Sequence, residues 1–161
     1  MSTPSKNKGD RAERALVAYL TPWWPNVRRT KAGGEKDLGD LSGLRDRDGD
    51  EWCVQVADRK SLVNHGAVLA KALEASCQAL RLGAPWWVLV IKRPGCADVA
   101  EWFVWLPAGM LAEVMGRRSD LGVGVQSDGW QDIRKAGAYN DLACITVRAW
   151  VALIAPEQAD A

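Results

Sequence analysis

Asp40 and Gln55 are the residues of this chain whose types and spacing can do chemistry together. Between them lies Asp48-Gly49, a dipeptide that predicts a hairpin turn. The flanking residues 37–44 and 52–58 then read as the outgoing and returning strands. Side chains alternate along a strand, so Cys53, Gln55 and Ala57 share one face while Trp52, Val54 and Val56 take the other. Gln55 can therefore point toward Asp40 across the hairpin. A carboxylate, an amide oxygen and the Val56 backbone carbonyl make an all-oxygen donor set, which suits Mg²⁺ or Mn²⁺. Such a metal activates water and neutralises charge on a scissile phosphodiester.

Other residues bear on the same chemistry. Glu13 is an acid on the first predicted helix, and it also fits a capping box with Asp10. Asp37 is a second acid near the hairpin or a plain loop residue. Arg28, Arg29 and Lys31 flank the Gly33-Gly34 loop, where the backbone can approach a phosphate closely. Arg59 and Lys60 follow the returning strand. Gln78 lies on the second predicted helix, and a helix facing the hairpin can present it. His65 is the single histidine.

The elements that must position these residues follow from pattern. Ala12, Leu16, Tyr19 and Leu20 form a helical stripe behind Asp10, and Thr21-Pro22 ends it. Residues 27–30 read as a short basic strand. An alanine-rich helix spans residues 68–82, stopped by Gly83 and Pro85. Residues 86–92 are almost wholly apolar, the pattern of a central strand buried on both faces. Residues 101–106 read as a further strand, and Pro107 opens a helix running to about Met115. Val147, Trp150, Val151 and Ile154 have helical spacing with Thr146 as cap, while a strand over residues 144–154 is the other reading. Residues 116–141, rich in glycine and charge, give no clear pattern. The expected architecture is α/β, a mixed central sheet flanked by helices. Residues 1–9 are expected as a flexible arm, 10–155 as one domain and 156–161 as a disordered tail.

Gly39, Asp40, Leu41, Ser42 and Gly43, followed on the next strand by Val54, Gln55, Val56 and Ala57, resemble the signature of the PD-(D/E)xK nuclease superfamily. The helix opening Gly9-Asp10-Arg11-Ala12-Glu13 resembles its phage and archaeal Holliday-junction resolvase branch. So do the arginines before the loop, the run from Val88 to Gly95, and Glu101 to Val104. The likeness spans roughly residues 8–115. It implies a restriction-endonuclease-like fold, a catalytic set of Glu13, Asp40, Gln55 and position 57, and Mg²⁺ or Mn²⁺ held by Asp40, Gln55, the Val56 carbonyl and Glu13. It also implies a homodimer that cuts four-way DNA junctions, with Arg28, Arg29, Lys31, Arg59 and Lys60 on the DNA.

Two positions depart from that pattern. Gln55 stands where glutamate is usual, lowering the charge of the site by one. Ala57 stands where lysine is expected, which removes an electrostatic stabiliser worth roughly 3–4 kcal/mol by analogy with other sites. Three accounts of Ala57 stay open. A native lysine has been replaced to inactivate the enzyme; or Lys60 or Arg59 takes its place; or the protein binds DNA without cutting it. Another nuclease of the same superfamily, of repair or restriction type, and a plain interaction protein with a tryptophan-rich surface are the remaining alternatives.

Composition sets the outer bounds. The 161 residues are 48% apolar, enough for one domain with a real core. Charge is nearly balanced, with 21 Lys and Arg against 20 Asp and Glu, so any nucleic-acid surface must be a local patch. Four scattered cysteines and one histidine lack zinc-ligand spacing. No signal peptide or membrane-spanning run is evident, and a reduced cytoplasmic setting is expected, that of the host cell for a phage-encoded chain. Most of the nine tryptophans are expected in the core or at a subunit interface, a few at most on bases.

Overall fold

The computed structural model describes residues 4–30, 39–58, 64–118 and 142–157. Six strands form one mixed sheet in the order β1-β2-β3-β4-β5-β6. They are β1 (Arg28–Arg29), β2 (Leu41–Ser42), β3 (Trp52–Ala57), β4 (Trp86–Ile91), β5 (Phe103–Pro107) and β6 (Leu142–Thr146). The helices are α1 (Pro4–Leu20), α2 (His65–Leu82), α3 (Ala108–Arg117) and α4 (Val147–Ile154). β1, β2 and β3 form an antiparallel meander. β4 pairs parallel to β3, which requires the crossover that α2 supplies. β5 and β6 then add antiparallel.

Strand alternation divides the core between the two faces of the sheet. Val54, Val56, Val88, Val90, Val104 and Ile145 pack with Leu16 of α1, Leu111 of α3 and Trp150 of α4. Ala57, Leu89 and Ile91 face the other way and pack with Val68 and Ala72 of α2. Burial on both faces explains why β4 is a continuous apolar run. The tryptophans concentrate on the α1 side. Trp52 stacks on Trp86 with centroids 5.8 Å apart, and Trp150 meets both Trp52 and Trp24. Three of the indole N–H groups are satisfied by the hairpin turn: Trp52 donates to Asp46, Trp86 to Asp50 and Trp24 to the Arg45 carbonyl, whereas the Trp150 N–H is buried without a partner. Among the described tryptophans these are core anchors.

Several boundaries differ from the pattern reading. The first helix begins at Pro4 rather than Asp10, so residues 4–9 are helical and not an arm. Asp10 consequently lies inside the helix and caps nothing. The capping box is replaced by ion pairs, because Asp10 and Glu13 both reach Arg29. β2 is two residues long instead of eight. Gly39 and Gly43 bracket it with φ of +93° and +87°, which break an extended run at each end. A Cβ on Gly43 would meet the Asn26 carbonyl oxygen at 2.5 Å, so glycine is required there. α2 starts three residues early because the Asn64 side chain accepts from the Ala67 N–H. In the C-terminal stretch the helical reading holds, α4 being capped by the Thr146 hydroxyl; the strand reading over 144–154 does not, because strand β6 ends at Thr146. Residues 119–141, most of the stretch without a pattern, lie outside the described residues, as do residues 158–161 of the expected tail. Among the described residues no helix is long and apolar enough to cross a membrane.

Candidate functional site

The meander places the expected residues by register. Leu41 pairs with Val54, so one step along the hairpin Asp40 stands opposite Gln55. Arg29 pairs with Leu41, and the Thr30 N–H donates to the Asp40 carbonyl at 2.8 Å, which sets Thr30 beside Asp40 on the other flank. Thr30, Asp40 and Gln55 thus form one row across three strands. Cys53 contacts the Ala75 carbonyl of α2, so alternation turns this row toward α2. Gly39 lets the chain enter the row: a Cβ there would lie 3.0 Å from Cys53 Sγ and 3.1 Å from the Val54 carbonyl oxygen.

The Asp40 carboxylate is anchored rather than loose. Its Oδ2 accepts the Val56 N–H at 2.7 Å, and its own N–H donates to the Val54 carbonyl at 2.8 Å. Gln55 is 8% exposed, and its Oε1 is buried without a hydrogen-bond partner. An amide oxygen so placed has open acceptor capacity, and burying it unmatched costs roughly 1–3 kcal/mol. Two further buried oxygens share this condition: Thr30 Oγ1 in the same row and Oε1 of Gln78, which is 3% exposed on α2. Thr30 was not legible as a site residue, because only the β1–β2 register brings it to Asp40. The signal for Gln78 was its spacing among the inward residues of an amphipathic helix.

An oxygen-only set with one carboxylate and an unpartnered amide oxygen fits a hard divalent cation. Its charge is low, since Asp40 supplies the single carboxylate of the row. Among the described residues no three His, Cys, Asp or Glu side chains gather as a ligand group, so any metal would rest on Asp40 together with neutral oxygens.

Glu13 is held elsewhere. Its carboxylate accepts from Arg29 Nε at 2.5 Å, while Arg29 NH2 reaches Asp10 at 2.6 Å. The hydrogen bond that Arg29 donates to Glu13 raises the Arg29 pKa further and keeps the guanidinium charged. Arg29 pairs with Leu41 and shares its face, so this ion-pair cluster sits on the α1 side, across the sheet from the row. Arg28 alternates to the other face and is exposed, as are Arg11 and Arg14 on α1. Ala57 is buried under α2 among Val68, Ala72, Leu89 and Ile91. Lys92 follows β4 and lies 3.6 Å from Asp58 and over the Trp102 ring, on the α1 side. Lys31, Asp37, Arg59 and Lys60 lie outside the described residues, and of His65 only the helical backbone is described.

No family model matches the chain, and neither a curated protein nor a solved structure matches it significantly.

Proposed function

We propose that this protein is a metal-dependent, structure-selective endodeoxyribonuclease of the PD-(D/E)xK kind. It acts on four-way DNA junctions as a homodimer and is impaired by alanine at position 57. The observation that carries the reading is the register of Asp40 opposite Gln55, with the buried Gln55 Oε1 unpartnered. The order of elements supports it: helix, strand, hairpin pair, helix, strand, strand and helix is the order read from the sequence pattern, and the resemblance follows the same order.

In this reading Asp40, Gln55 and the Val56 carbonyl would hold Mg²⁺ or Mn²⁺. The ion, when bound, supplies an activated water and offsets charge on the phosphate. Asp40 is pre-oriented by the Val56 N–H. Arg28, exposed on the edge strand, would seat a phosphate without reading sequence. Arg29 is committed to Glu13 and Asp10, and serves to fix α1 against β1.

A specific observation favours a second reading, a DNA-binding protein that does not cut. Position 57 is enclosed by apolar side chains, so that position offers the row no ammonium. One experiment separates the two. A labelled four-way junction and a matched linear duplex are incubated with Mg²⁺ and either this chain or its Ala57→Lys variant. Cutting by the lysine variant alone, with preference for the junction, supports the junction nuclease. Cutting of the duplex equally well supports a repair or restriction-type enzyme. Junction binding without cutting by either protein removes the nuclease reading and leaves the binding module.

A further inference from the structure

The helix that faces the Asp40–Gln55 row carries a lysine. β3 and β4 are parallel, so α2, which joins them, runs back antiparallel to β3. The Ala75 carbonyl of α2 lies 3.9 Å from Cys53 Sγ, which fixes where the two elements meet. Gln55 stands two residues on along β3, about 6.6 Å from Cys53. Lys71 stands four residues back along α2, about 6 Å from Ala75 in the same direction. Residues four apart on a helix lie one above the other on one face. The contact that sets Ala75 over Cys53 therefore places Lys71 over Gln55.

The rotation of α2 agrees. A right-handed crossover turns the flank with Lys71 and Gln78 toward β2, and the flank with Leu69 and Ser76 toward β5. Gln78, seven residues on from Lys71 along the same line, is 3% exposed, so this flank looks into the protein. The Lys71 side chain is itself 23% exposed. Its ammonium donates to Glu74 Oε2 at 2.5 Å, on a carboxylate that is 53% exposed. Such a pair, three residues apart on a helix, is weak and yields to a stronger anion. An ammonium on a flexible stem has three donors, and the buried Gln55 Oε1 in the row has none to accept from.

We propose that Lys71 supplies from α2 the catalytic cation that position 57 lacks; the proposal rests on the nuclease reading. Its ammonium swings from Glu74 onto a non-bridging oxygen of a phosphate seated at Asp40 and Gln55. In the hydrolysis the water oxygen bonds phosphorus and gives a proton to solvent. The leaving ester oxygen departs with its bond pair and takes a proton from solvent. Lys71 stays protonated and transfers nothing; it stabilises the charge that grows on the phosphate oxygens. This chain should therefore cut four-way junctions as it stands, more slowly than with a lysine at position 57.

Single-turnover cutting of a labelled four-way junction in Mg²⁺ tests it, with this chain, Lys71→Gln, Ala57→Lys and the double variant side by side. The parent should cut slowly, and Lys71→Gln should lower that rate about a hundredfold. Junction affinity, read by fluorescence anisotropy in EDTA, should change far less, because the lost contact acts on the transition state. Adding Ala57→Lys to Lys71→Gln should restore cutting, which it could not do had Lys71 only held the fold. In EDTA, junction DNA should protect Lys71 of the unaltered chain from acetylation, read by mass spectrometry, a result that needs no variant to fold. Cutting by Lys71→Gln at the parent's rate overturns the proposal, as does a loss that Ala57→Lys does not restore. So does a Lys71 acetylated equally with and without the junction. Cutting by Ala57→Lys but not by the parent overturns it and leaves the nuclease reading standing. If neither of those two proteins cuts, the nuclease reading falls and the proposal with it.

Discussion

The Asp40 carboxylate accepts the Val56 backbone N–H at 2.7 Å across the hairpin, so one side chain both orients the hairpin and faces Gln55. Asp40→Ala should therefore lower stability by about 1.5–3 kcal/mol, the worth of a hydrogen bond to a charged group. Asp40→Asn keeps an acceptor and should recover most of that loss, yet it removes the charge a cation needs. Urea unfolding reads the first effect and isothermal titration with Mg²⁺ the second. Undiminished Mg²⁺ binding by Asp40→Asn would move the metal away from this hairpin.

Gln55 holds an unmatched buried oxygen, which is a cost in the metal-free protein. Gln55→Met removes that oxygen at similar volume and should raise metal-free stability by about 1 kcal/mol. Gln55→Glu should act in the opposite sense. It adds a second carboxylate beside Asp40, lowering stability without metal and tightening Mg²⁺ binding about tenfold, or roughly 1.4 kcal/mol. Thermal melts with and without Mg²⁺ report both changes. A Gln55→Met variant less stable than the parent shows that the amide has a partner in solution.

Three glycines near the hairpin separate backbone strain from steric blocking. Gly39, Gly43 and Gly49 all have φ near +90°. A Cβ on Gly49 meets nothing within 4 Å, whereas on Gly43 it meets backbone at 2.5 Å. Gly49→Ala should cost about 1–2 kcal/mol, the penalty of the conformation alone. Gly39→Ala should cost more, and Gly43→Ala the most, since the Asn26 carbonyl cannot yield as a side chain can. Ranking the urea midpoints of the three variants checks the order.

The two neighbouring arginines of β1 should behave differently. Arg29 bridges Glu13 and Asp10, so Arg29→Ala leaves two half-sheltered carboxylates unpaired and should cost about 1 kcal/mol of stability. Arg28 is exposed, and Arg28→Ala should leave stability within about 0.5 kcal/mol. Under the DNA-binding reading, Arg28→Ala weakens junction affinity and reduces its logarithmic salt slope by about 1. Fluorescence anisotropy across a salt series measures that slope. An unchanged slope would remove Arg28 from the DNA surface.

The sequence by itself determined the kinds of element and their order. Period-two and period-3.6 patterns are local, so β4 with its unbroken apolar run, α2 with its Gly83 stop and α4 with its Thr146 cap were all legible from neighbours within one or two turns. The Asp48-Gly49 turn fixed which strands pair, and with them the meeting of Asp40 and Gln55. What tertiary structure decided depends on residues far apart in the chain. Arg29 draws Asp10 and Glu13 to the α1 face, which turned an apparent capping box into an ion-pair cluster. The approach of Asn26 and Cys53 to Gly43 and Gly39 shortened β2. The β1–β2 register put Thr30 beside Asp40, and packing of α2 on the sheet enclosed Ala57 and Gln78 while leaving Leu73 and Leu80 outside. A helical pattern tells which residues share a face, but an alanine-rich helix with leucines on another side offers two apolar faces, and only contact with the sheet chooses the one that is buried.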